Sequence, residues 1–158
     1  MSLQEELNFP NPVLNPRHET MISLVLTGAL LTKEGDRLLN PYGLTDSQFN
    51  VLMLLRYQTE DGQLNQTQLG RMLLVNRSNV TGLIDRMEKA GWVQRISKSG
   101  DRRVNQIKLT NAGRRLVEKA EKAYFARIEQ VLAPISESEQ IALKDMLSRI
   151  RQSIHVEP

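Results

Sequence analysis

The amino-acid sequence predicts a mainly α fold built around a helix-turn-helix and a two-stranded hairpin, with further helices before and after. Three observations carry that prediction. Capping residues recur at Thr45, Asn65 and Asn76, each opening a run with apolar residues at helical spacing. Only Leu74-Val75-Asn76 separates the second run from the third, the tight connection of a helix-turn-helix. Two short segments, Trp92–Ile96 and Val104–Leu109, then flank the turn signal Lys98-Ser99-Gly100-Asp101. A helix-turn-helix followed at once by a hairpin is a winged helix-turn-helix, and the hairpin is its wing.

Each element has its own signal. Residues 1–15 contain Pro10 and Pro12 among Asn8, Asn11 and Asn15, and are expected to form an irregular N-terminal arm. Asn15 before Pro16 pairs a cap with proline at the first helical position, so a helix should run from Pro16 to Leu39 and stop before Asn40-Pro41. Its apolar residues cover more than one stripe, which suggests burial both on a core and on a partner chain. Thr45 with Gln48 and Asn65 with Gln68 form capping boxes, with Leu44 and Phe49, then Leu64 and Leu69, as hydrophobic staples. Asn76 caps a third helix, with Val75 and Val80 as its staple. These helices should span residues 46–58, 66–73 and 77–90, the last closed by Gly91. Thr110 caps a long helix that Pro134 ends, and Ser136 with Glu139 opens a last one reaching Ile154. The expected organisation is an arm (1–15), a dimerisation helix (16–40), a winged-helix domain (41–110) and C-terminal dimerisation helices (111–158).

Composition narrows the function. The chain has 158 residues, 40% hydrophobic and 25% charged, enough for one domain with helical extensions. It has no cysteine, which removes disulfides, thiolate metal sites and thiol redox chemistry. No apolar run approaches a membrane span and the N-terminus lacks a leader pattern, so a cytoplasmic protein without membrane contact is expected. The net charge is only +3, yet residues 71–115 hold eleven Lys and Arg against three acids, while the remainder is net negative. Such a concentrated positive segment is the footprint of a nucleic-acid binder. Aromatic residues are only 4%, too few for the base-stacking platforms of single-strand and RNA binders. Enzymatic activity is not expected: His18 and His155 lie near opposite ends, and no phosphate-binding loop, dinucleotide fingerprint or zinc-protease spacing occurs. No cofactor and no metal are expected either.

The helix over 77–90 is the candidate reader of double-stranded DNA. Val80, Leu83, Ile84 and Met87 form its core stripe. The opposite face centres on Ser78, Gly82, Asp85 and Lys89, flanked by Asn79, Thr81 and Arg86. Small residues let a backbone approach the major groove, and the polar side chains offer donors and acceptors to base edges. Arg77, at the helix N-terminus, suits a phosphate. Arg102 and Arg103 sit near the hairpin tip, where a wing would meet the negative potential of the minor groove, with Asp101 able to orient them.

The segments GLTDSQFNVL, LGRMLLVNRSNVTGLIDRMEKAGWVQR and SGDRRVNQIKLTNAG together resemble the MarR family (multiple antibiotic resistance regulators), over roughly residues 20–152. The most specific match is an Asp-x-Arg wing followed by Leu-Thr-x-x-Gly, here Asp101, Arg103, Leu109, Thr110 and Gly113. The resemblance implies a homodimeric transcription regulator, most simply a repressor, that binds a pseudo-palindromic operator and answers to a small-molecule effector. It implies that Arg103 is the wing arginine, that Asp101 supports it, and that Ser78, Thr81 and their neighbours contact DNA. The absence of cysteine sets the chain apart from thiol-sensing members, so the expected effector is a small organic or aromatic molecule. An apolar pocket between the dimerisation and DNA-binding parts would hold it, with Met21, Val25, Met53, Tyr57 and Met72 as candidate lining. The alternative is an effector-independent, constitutive or architectural DNA-binding protein.

Overall fold

A computed structural model of the chain describes residues 2–13, 15–59, 61–73, 77–97 and 105–154. Its first element corrects the expected irregular arm, because Leu3–Leu7 form a short helix, α1. The Ser2 hydroxyl accepts from the Glu5 N–H while the Glu5 carboxylate accepts from the Ser2 N–H, and Asn8 closes the helix at φ 51°. This local cap outweighs the prolines, which come only after the helix has ended.

Asn15 accepts from the Arg17 N–H and opens α2 (Pro16–Leu39) as its signal required. One 3-10 turn, Asn40–Tyr42, ends on Gly43 in the left-handed region, φ 67°. The reciprocal Thr45–Gln48 cap then starts α3 (Asp46–Tyr57). Next come β1 (Gln63–Asn65), α4 (Gln66–Leu73), α5 (Arg77–Lys89), β2 (Val93–Ser97) and β3 (Asn105–Leu109). The strands form an antiparallel sheet in the order β1-β3-β2, with Leu64 opposite Ile107 and Arg95 opposite the same residue on the other side. The sequence reading holds two of these strands and lacks β1. Three residues carry no alternation to read, and only pairing with the distant β3 makes them a strand. Leu74, Val75 and Asn76, and the hairpin turn with Asp101, Arg102 and Arg103, lie outside the described residues.

The core of the first compact unit, residues 1–120, is where the helix faces predict it. Phe49, Leu52 and Leu55 of α3 are fully buried, as are Leu69 of α4 and Val80, Ile84 and Met87 of α5. Ile107 and Val93 bring the sheet onto this core. Each such side chain contributes about 1.5–3 kcal/mol. Both fully described staple pairs, Leu44 with Phe49 and Leu64 with Leu69, are buried.

After the sheet, Thr110 starts α6 (Asn111–Leu132) by accepting from the Gly113 N–H. The same residue fastens α6 to the end of α5: its hydroxyl lies within hydrogen-bond distance of the Gly91 and Trp92 carbonyls, and its N–H donates to Trp92. A second compact unit begins at Glu121 and includes α7 (Glu137–Ile154). Ser136 and Glu139 cap α7, and the Ser136 hydrogen bonds hold the Glu139 carboxyl below its ordinary pKa. In this unit Phe125, Ile141, Leu143, Met146 and Ile154 are exposed. In α2 only Leu39 is buried, while Met21, Val25, Leu30 and Leu31 are all more than half exposed. Among the described residues, no helix is long and apolar enough to cross a membrane.

Candidate nucleic-acid interface

The α5 helix separates its two faces as its spacing demands. Val80, Ile84 and Met87 are fully buried and Leu83 nearly so, while Asn79, Thr81, Asp85, Arg86 and Lys89 are exposed. Arg77 and Ser78 occupy the first turn. Gly82 is half-buried on the polar side, and its role is wider than close approach to a groove. A Cβ at Gly82 would stand 3.5 Å from Arg86 Nη1, so the guanidinium of Arg86 folds back along the helix over the glycine.

Two carboxylates on α5 do not face a partner unaided. Arg95 of β2 binds Asp85 through Nη2 and Glu88 through Nη1, and its backbone N–H donates to Glu88 at 2.8 Å. Burial works to lower the Arg95 pKa, but its bonds to Asp85 and Glu88 outweigh that and leave it raised. The sequence reading placed Asp85 on the exposed face and gave Arg95 no role beyond its strand. The missing signal was β2 returning beside α5, which joins positions ten residues apart. Across the helix pair, Gln66 at the start of α4 donates from Nε2 to Thr81 Oγ1 of α5 at 2.5 Å.

Two clefts adjoin this reading unit. The first, about 330 Å³, is lined by Met53, Leu54, Tyr57, Gln58 and Met72 together with Asn50 and Leu73. Three of the five expected effector-pocket residues therefore come together here, on α3 and α4. Met21 and Val25 stand exposed on α2 and are not among its lining. The second cleft, about 260 Å³, shares Asn50 and Leu73 with the first and is closed by Asn79, Leu83 and Arg86 of α5. Asp46 and Ser47 complete it. The Asp46 carboxyl is pushed up by burial and by the nearby charge of Asp36, with the Asn50 amide opposing both by donating to it at 2.9 Å. Among the described residues, no group of three acidic or histidine side chains is placed to hold a metal ion.

A tight helix pair with a polar outer face, followed by an antiparallel strand pair on a basic segment, defines a winged-helix DNA-binding protein. Comparison with known proteins places it more closely. The MarR family model matches residues 44–104. The chain is 30% identical to the HTH-type transcriptional regulator PecS of Dickeya dadantii, over 84% of this chain and 77% of that protein. Among solved structures it is similar to Sco5413, a MarR family transcriptional regulator from Streptomyces coelicolor, with TM-score 0.76 and 27% identity over 88% of this chain and 95% of the other. It is also similar to NadR solved with 4-hydroxyphenylacetate, with TM-score 0.71 and 27% identity over 93% and 100% of the two chains. The chain belongs to the MarR family and is a DNA-binding transcription regulator.

Proposed function

We propose that two copies of this chain form a homodimer that reads a pseudo-palindromic operator in double-stranded DNA, and that a small organic or aromatic effector tunes its affinity. In this reading α5 enters the major groove. Ser78, Asn79, Thr81, Arg86 and Lys89 supply its contacts, Gly82 allows close approach, and Arg77 meets a phosphate. Arg103, with Arg102 beside it and Asp101 in support, takes the neighbouring minor groove. Operator occlusion makes repression the simplest outcome of binding.

One observation carries the effector reading. Two adjoining clefts, joined at Asn50 and Leu73, run from Met53, Tyr57 and Met72 to Asn79 and Arg86 of the reading helix itself. A molecule seated there would touch α5 itself, so its affinity would depend on where that helix stands, which is what coupling requires. NadR, a similar structure, was solved with a hydroxylated aromatic acid, and that compound is the natural first probe. The test is fluorescence anisotropy on duplexes enriched by the full-length chain, titrated with 4-hydroxyphenylacetate and related small aromatic acids. The expected result is a 5–150-fold loss of DNA affinity, roughly 1–3 kcal/mol of coupling, abolished by Met72→Ala with Tyr57→Ala. If none of these acids changes DNA affinity or protein melting, the effector-independent alternative takes its place.

A further inference from the structure

Gln66 is the first residue of α4 after Asn65, and its side chain reaches across to α5. Its neighbour Gln68 is committed to the cap, donating its backbone N–H to the Asn65 side chain and accepting from the Asn65 N–H. Gln66 instead donates from Nε2 to Thr81 Oγ1, fifteen residues on and exposed on α5. That bond consumes one of the two N–H donors of the carboxamide. The carboxamide oxygen and the second N–H have no partner among the described residues. An acceptor and a donor on one planar group match the N6 amine and N7 of adenine in the major groove. The bond to Thr81 also fixes which way the amide faces, and so separates reading of adenine from reading of guanine, which offers two acceptors.

We infer that Gln66, held by Thr81, is a specificity-determining residue that recognises the major-groove edge of an adenine in each DNA half-site. The inference rests on the proposed docking of α5 in the major groove. On that helix Asp85 and Glu88 are engaged within the protein, both with Arg95. The Gln66–Thr81 contact is thereby the place where an amide stands ready for a base.

The test is selection from a random duplex pool by the full-length wild type, Gln66→Ala, Thr81→Val and Thr81→Ser, followed by sequencing of the bound DNA. The wild type should enrich a two-fold motif with an A·T pair at one symmetric position. Gln66→Ala should lose the preference at that position alone, a change of roughly 5–150-fold between A·T and its replacements. Thr81→Val removes the acceptor and should relax the same position, while Thr81→Ser keeps it. A merely structural role would weaken every position alike. Uniform loss, an unchanged motif in Gln66→Ala, or a Thr81→Val variant that keeps the full preference at the Gln66 position would each overturn the inference and leave the DNA-reading role of α5 standing. Failure of the wild type to enrich any motif would overturn both.

Discussion

Gly113 has no room for a side chain. A Cβ there would lie 2.1 Å from the Trp92 carbonyl oxygen and 2.9 Å from Leu109 Cδ1, and the first of these is backbone that cannot rotate away. The glycine lets α6 sit against the end of α5, where Thr110 ties both together. Gly113→Ala should cost about 3 kcal/mol or more, beyond ordinary overpacking, and a urea denaturation midpoint will measure it. A shift of less than 1 kcal/mol would mean that the backbone moves aside. Asp46 offers a second single-residue test. Its carboxyl is pushed up first by burial and then by Asp36, so Asp36→Asn should move it back toward the ordinary value, leaving part of the shift behind. Side-chain carbon NMR titration checks this. A raised folded pKa means that Asp46 favours the fold below its unfolded pKa and loses that contribution as pH rises through the folded one, so Asp36→Asn should flatten stability in the acidic range.

At the scale of elements, the ion pairs of Arg95 join β2 of the wing to the reading helix. The Arg95 side chain is about one fifth exposed, Asp85 more than half and Glu88 over a third, so the bonds add little to stability, about 0–1 kcal/mol. With α5 docked on DNA as proposed, their effect on DNA binding should be larger, because without Arg95 two carboxylates on α5 would confront phosphates unscreened. Arg95→Gln should melt within a few degrees of the wild type yet bind duplex DNA at least about tenfold more weakly, one factor of ten being 1.4 kcal/mol. Adding Asp85→Asn and Glu88→Gln should restore most of the loss. A triple variant as weak as Arg95→Gln would show that the arginine acts by position rather than by charge. Elements whose cause is local were legible in the sequence: the starts of α2, α3, α4, α6 and α7 follow from Asn15, Thr45, Asn65, Thr110 and Ser136. What escaped depends on distant partners. β1 needs β3, Arg95 needs α5 beside it, and Gln66 acquires its role only once Thr81 has been brought to it. α1 is the exception: its Ser2–Glu5 cap is local, yet the prolines that follow point in the sequence to an irregular arm.

The whole molecule has more apolar surface than one chain covers. Met21, Val25, Leu30 and Leu31 on α2 are at least half exposed, and so are Ile141, Met146 and Ile154 on α7. Isolated exposed apolar residues are ordinary, but rows of them on the helices at both ends of the chain are what a two-fold partner would cover. Such an interface has a consequence that can be measured on DNA. A dimer presents two reading heads, and once the first is bound the second binds as an intramolecular event. Ending the chain at Pro134 removes α7 and its exposed Ile141, Leu143, Met146 and Ile154. The shortened chain should scatter light as a monomer and lose about 10²–10⁴-fold in affinity for a two-fold site. Each phosphate contact contributes about 0.9 to the slope of log affinity against log salt, so one head in place of two should also halve that slope. Circular dichroism and melting would establish that residues 1–120, which hold the buried core, stay folded in the shortened chain. A shortened chain that keeps dimer mass would place the subunit contact on α2 and α6 instead. One that becomes monomeric yet keeps the full affinity and the full slope would show that a single head makes all the contacts, and that the operator has no two-fold symmetry.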